Sequence, residues 1–284
     1  MCGDAPKPPS GEIPADPPGG GAGGTGLCCA CPANGDMNTN GFANYFTTTY
    51  PHSNVLTNKG KIAIIRTEEG GSVTLTKTFS LAYTAGATEA ASKGTLTSAI
   101  TSAMSTWQSN AASFRIQVEQ PGCKVQKLTM LYASAIVASG ADVAVSVDGT
   151  AAPTPPAEGL RSFVQGGTAM TFYTNGIGDI PWTMVHEIGH TLGLPDEYIF
   201  QLASATPAPT VTFKGASLPD KAVVLPTSPI ASADAAKFNF DSDCVMGRNG
   251  NTKYPDYLFY WIAIEVQKVF KAAGVEAVVK VVVA

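Results

Sequence analysis

Two of the three histidines in this chain stand four residues apart and flank a glutamate, in the run His186-Glu187-Ile188-Gly189-His190-Thr191-Leu192-Gly193-Leu194-Pro195-Asp196. Residues four apart share one face of a helix, so both imidazoles can reach a single metal ion, with Glu187 beside it as an acid–base group. Gly193 can take a left-handed conformation, stop the helix and turn the chain back beneath it. The turn carries Asp196 towards a third ligand position.

An ion held by His186, His190 and Asp196 keeps one position for water. Three protein ligands and one open position make a catalytic arrangement, where four would close a structural one. Zinc fits this nitrogen and oxygen set, and it lowers the pKa of a bound water from 15.7 towards about 7. Glu187, next to the first ligand, is placed to take the water proton as general base and pass it to a leaving amine.

The extended pattern HExxHxxGxxD resembles that of the metzincin zinc metallopeptidases, and its aspartate form is similar to the small snapalysin-like bacterial enzymes. The resemblance implies a zinc-dependent endopeptidase acting on extended protein or peptide substrates. Its spacing implies Asp196 as third ligand, with Glu197 next door as the competing carboxylate. Metzincins also carry a tight turn with a methionine beneath the zinc, followed by a C-terminal helix. Met246, in Asp241-Ser242-Asp243-Cys244-Val245-Met246-Gly247, is the only methionine downstream of the motif and takes that place in the comparison. Some members put a tyrosine two residues after that methionine. Here the position is Arg248, which leaves the second oxyanion donor open among Tyr198, Arg248, Tyr254 and Tyr257.

The family fold implied is α+β and two-lobed. It has a mixed, mainly parallel sheet and an active-site helix in an upper lobe at about 60–193. An irregular lower lobe at about 194–284 carries the methionine turn and the C-terminal helix.

The elements that must hold these residues are legible in outline. Residues 61–66 and 72–79 are β-rich, and the second run alternates apolar with polar. Leu96, Ile100, Met104 and Trp107 recur at helical spacing, predicting an amphipathic helix over 93–109 whose stripe is core. Strands are expected at 114–119, at 125–137 with a break, at 141–147 as an exposed edge for a peptide substrate, and at 168–174 before the Asn175-Gly176 turn. Asp179 is expected to cap the motif helix and Pro181 to sit in its first turn. Residues 197–234 carry Pro, Ala and Ser without strong period and read as an irregular insertion. A helix over 255–273 and a strand or packed apolar tail over 275–283 end the chain.

Residues 1–45 hold Pro-Pro and Gly-Gly runs and read as a flexible segment, with the catalytic domain at 46–284. Within it, Cys28, Cys29 and Cys31 read as locally stapled, with a cysteine blocking the zinc as the sharper alternative. The spacing also permits a disulfide between Cys123 and Cys244.

Of the 284 residues, 44% are hydrophobic but only 14% charged, against about 25% on average. With a net charge of -4, this composition gives no reason to expect nucleic acid and suits a secreted or exported protein. No apolar run approaches the roughly 18 residues that span a bilayer. No basic region followed by an apolar core opens the sequence, so no ordinary signal peptide is visible. That observation motivates a second expectation: a metal-binding particle component or delivered effector, docked on a partner through its N-terminal segment, with peptidase activity absent or secondary.

Overall fold

The computed structural model describes residues 34–37, 45–49, 56–67, 70–84, 86–151, 162–175, 180–202, 208–225, 227–228, 238–247 and 250–284. It is α+β, built on β1 (Asn34–Met37), β2 (Phe46–Thr48), β3 (Gly60–Thr67), β4 (Gly70–Thr84), α1 (Glu89–Ala111), β5 (Phe114–Glu119), β6 (Gln126–Ile136) and β7 (Val143–Ala151). There follow β8 (Phe163–Gln165), β9 (Ala169–Asn175), α2 (Ile180–Thr191), β10 (Tyr198–Leu202), β11 (Thr210–Phe213), β12 (Lys221–Val224), β13 (Thr227–Ser228), β14 (Phe238–Asp241), a 3₁₀ turn (Asp256–Phe259), α3 (Tyr260–Ala272) and β15 (Val278–Val283).

The longest strand, β4, organises a nine-stranded sheet because it serves more than one neighbour on the same edge. Along one side β6 runs parallel to it from Gly71 to Phe79. On the other side β3 pairs antiparallel from Gly70 to Thr76, and β7 takes over in parallel from Phe79. The main order is β15-β5-β6-β4-β7-β9-β8, with β3 and β1 branching from β4. The sheet is therefore mixed, with a parallel centre of β6, β4, β7 and β9 and antiparallel flanks.

Helix α1 begins where the Thr88 hydroxyl accepts the Ala91 amide, an N-cap, and it buries Leu96, Ile100, Ala103, Met104 and Trp107. Burying each of the large side chains contributes about 1.5–3 kcal/mol. The stripe lies against β6 and α2. Trp107 fastens α1 to the motif helix, its indole N–H donating to the Val185 carbonyl at 3.0 Å.

Several expectations are corrected. Strand β7 is no edge: it lies between β4 and β9, and the edge on that side is β8, antiparallel to β9. The alternation that marks a strand carries no information about its neighbours. Strand β6 runs without a break. The folded part starts before residue 46, since β1 pairs with β3 and Tyr45 is only 2% exposed. Residues 1–33, with Cys28, Cys29 and Cys31, lie outside the described residues, as does Asp179.

The segment after the motif is also not simply irregular. It forms two three-stranded sheets, β10-β14-β13 and β12-β11-β2. The second takes a strand from the start of the chain, with Phe46 opposite Phe213, a pairing too distant to leave a local period. Residues 278–283 settle as strand β15 on β5. Cys123 and Cys244 are not bonded to one another: Cys123 sits in the turn between β5 and β6, whereas Cys244 is buried below α2. Among the described residues no helix is long and apolar enough to cross a membrane.

Candidate metal centre

Helix α2 is buried along its whole second half, from Met184 to Thr191, because α1, the sheet and the lower segment enclose it. Pro181 lies in its first turn, where a missing N–H costs nothing. Its end is fixed by Gly193, at φ 85, with Leu194 N–H donating to Gly189 O at 3.2 Å and Gly193 N–H to His190 O at 3.0 Å. This reciprocal pair of bonds closes a helix around a left-handed residue. A Cβ on Gly193 would also lie 2.6 Å from the Tyr45 ring, so the position demands glycine twice over.

The turn returns the chain so that Asp196 faces the two histidines. Its Oδ1 stands 3.1 Å from His186 Nε2 and 3.2 Å from His190 Nε2. Each imidazole is oriented by its other nitrogen: His186 Nδ1–H donates to Val245 O at 2.9 Å, and His190 Nδ1–H to Leu194 O at 2.8 Å. With Nδ1 committed to a carbonyl, Nε2 of each ring is the nitrogen turned towards Asp196. A carbonyl that accepts from one ring nitrogen fixes the tautomer and leaves the other nitrogen free to bind a metal.

The three ligand atoms lie within 4.8 Å of one another. Atoms about 2.0–2.1 Å from a tetrahedral zinc stand about 3.3 Å apart, close to the two N···O separations. The residues present therefore fit a divalent ion, which His186, His190 and Asp196 would hold.

The electrostatics agree. Burial works to raise the Asp196 pKa, yet the charge of His190 and hydrogen bonds from both imidazoles hold its carboxyl well below the usual range. Burial likewise works to lower His190, but Asp196 outweighs it and lifts the imidazole to about 9. Without metal, a proton on His190 occupies the role of the cation.

Glu187 is 5% exposed, and its Oε2 is buried with no hydrogen-bond partner. Burial pushes its carboxyl up to about 7, against the pull of His190 and His186. An orphaned buried carboxylate oxygen beside three convergent donor atoms is a polar group left open to a partner.

Below the helix the chain makes a tight turn at 244–247, closed by Gly247 N–H to Cys244 O at 2.8 Å. Met246 is fully buried in it, against Gly189. Glu197 belongs to this layer and not to the ligand set. It is fully buried, its amide donates to Met246 O at 2.8 Å, and its Oε2 accepts the Tyr257 hydroxyl at 3.0 Å. The two neighbouring carboxylates thus point apart, Asp196 to the histidines and Glu197 to the turn.

The four oxyanion candidates separate as well. Tyr257 is engaged by Glu197, and Tyr254 packs edge-on against Trp107 at 5.1 Å. Tyr198 has its ring 6.0 Å from that of His186. Arg248 lies outside the described residues. Sequence reading missed Trp182, whose ring stacks on His186 at 5.0 Å with 23° between planes. Its signal was available, since Trp182 stands four residues before His186 and so shares its face.

Compared with protein-family models and with curated proteins, the chain matches none.

Proposed function

We propose that this chain is a zinc-dependent endopeptidase of metzincin type. The observation that carries the reading is the convergence of His186 Nε2, His190 Nε2 and Asp196 Oδ1 beside the partnerless buried oxygen of Glu187. When bound, zinc supplies Lewis acidity towards the scissile carbonyl and a water acidic enough to deprotonate near neutral pH.

The chain's own residues do the rest. Val245 O and Leu194 O hold the two imidazoles in the tautomer that presents Nε2. Glu187 accepts the proton of the attacking water and hands it to the departing amine, a role matched by a carboxyl raised to about 7. Tyr198, its ring 6.0 Å from that of His186, is the tyrosine for assisting the carbonyl oxygen. An extended substrate adds as a strand to β8, the sheet edge that touches α2, through main-chain hydrogen bonds.

The test compares wild type with Glu187→Gln for zinc content and for cleavage of a peptide library. Loss of a general base costs about 10²–10⁴-fold in rate, with zinc content unchanged. Equal cleavage by the two proteins sinks the mechanism. A zinc-loaded wild type that cleaves nothing favours the docked metal-binding component instead.

A further inference from the structure

We infer that Trp182 is a positioning residue for the metal centre, which tightens metal binding by stacking on the ligand His186 and tying it to the turn below; this rests on the metal-binding reading of the site. Trp182 and His186 are one helical turn apart on α2. Their rings lie 5.0 Å apart and nearly parallel, at 23°. His190 meets the same imidazole edge-on, at 4.8 Å and 90°. The orientation of His186 is thereby set by three independent contacts: the indole face, the His190 ring and the bond from Nδ1–H to Val245 O.

The indole is itself anchored. Its Nε1–H donates to Asn251 O at 2.8 Å, and Asn251 Nδ2 donates to Ser242 O at 2.7 Å. Ser242 stands three residues before Val245, so through Asn251 the indole joins the motif helix to the segment whose Val245 carbonyl orients the same imidazole. A plane fixed on both its face and its edge has little rotational freedom left to lose when Nε2 binds a cation.

The stack also favours the loaded state. A cation on Nε2 draws electron density from the imidazole and makes its face electropositive, and the indole face is the best aromatic partner for positive charge. Among the described residues, His190 meets the His186 ring edge-on and Tyr198 lies tilted at 6.0 Å. No other residue supplies the parallel face among the described residues.

The experiment measures zinc affinity by competition with a chromophoric chelator on the full chain, for wild type, Trp182→Phe and Trp182→Ala. Thermal melts of the metal-free proteins run beside it. Removing the ring weakens zinc binding about 10–100-fold, with little change in the metal-free melt, while Phe restores most of the affinity by keeping a stacked face. Zinc should also change the tryptophan emission of wild type, and change it less in Trp182→Phe, which keeps the proposal testable where the Ala variant fails to fold.

Zinc binding by the Ala variant within about twofold of wild type overturns the proposal. Equal losses in the Ala and Phe variants overturn the stacking role, since a retained aromatic face would then restore nothing. A wild type that takes up no zinc refutes the metal reading and the inference together, whereas a zinc-binding wild type beside an unaffected Ala variant refutes the role of Trp182 alone.

Discussion

Met246 fills the notch left by Gly189 in the middle of the motif helix: a Cβ on Gly189 would lie 2.3 Å from Met246 Sδ and 3.1 Å from the Trp107 ring. Both neighbours are fully buried, so neither can move aside into solvent. Gly189→Ala gains about 1 kcal/mol of helix propensity but overpacks the contact at a cost of about 1–3 kcal/mol. The net is destabilisation, with a shifted helix and weakened zinc retention. Urea denaturation and metal content read both, and an Ala variant as stable as wild type would show that the notch is slack.

Zinc affinity should depend on pH through His190. Its imidazole carries a proton up to about pH 9 in the metal-free protein, chiefly because Asp196 outweighs the opposing effect of burial. Zinc must displace that proton, so apparent affinity climbs about tenfold per pH unit below about 9 and levels off above. Chelator competition from about pH 6.5 to 9.5 checks this, together with the proton released on binding. A flat profile contradicts the His190–Asp196 pairing.

Asp196 and Glu197 are adjacent carboxylates with separable losses. Asp196→Ala removes a candidate ligand and should abolish stoichiometric zinc, and it lowers metal-free stability as well, because the protonated His190 loses its partner. Glu197→Ala leaves the Tyr257 hydroxyl without its acceptor in a buried layer, at a cost of about 1–3 kcal/mol, and keeps zinc. Zinc stoichiometry with denaturant midpoints distinguishes the two, and metal loss confined to the Glu197 variant would reverse the assignment.

Lys77 offers a pH test independent of the metal. Its ammonium is buried on β4, donating to Asn58 Oδ1 at 3.0 Å and to Lys59 O, and burial depresses its pKa to about 7 against a small opposing pull from Asp142. Between about pH 7 and 10.5 the unfolded chain holds a proton that the folded one has released, so this group's contribution to stability rises with pH. The stability of Lys77→Met minus that of wild type should therefore fall by about 1.4 kcal/mol per pH unit across that window. Urea midpoints at three pH values suffice. Because His190 titrates in both proteins, its opposite effect cancels in the difference, and a difference independent of pH refutes the buried charge.

What the sequence determined by itself is what repeats or turns locally. The helical spacing of His186, His190, Leu96, Ile100, Met104 and Trp107 was readable because one residue step fixes one rotation about the helix axis. Gly193 was readable because few residues tolerate a left-handed turn. The strands β3, β4, β5 and β9 were visible in their β-rich or alternating runs.

Tertiary structure decided everything that depends on a partner distant along the chain. Alternation cannot say that β7 lies inside the sheet and β8 at its edge, nor that Tyr45 packs over Gly193. Composition cannot show that Phe46 pairs with Phe213. The choice between Asp196 and Glu197 was likewise undetermined by chemistry, because both are carboxylates. It was made by direction: one turned towards the imidazoles, the other towards Tyr257. The three candidate ligand atoms converge in space because the Gly193 turn, with Tyr45 packed over it, brings Asp196 back under α2 while the Val245 and Leu194 carbonyls orient the two imidazoles.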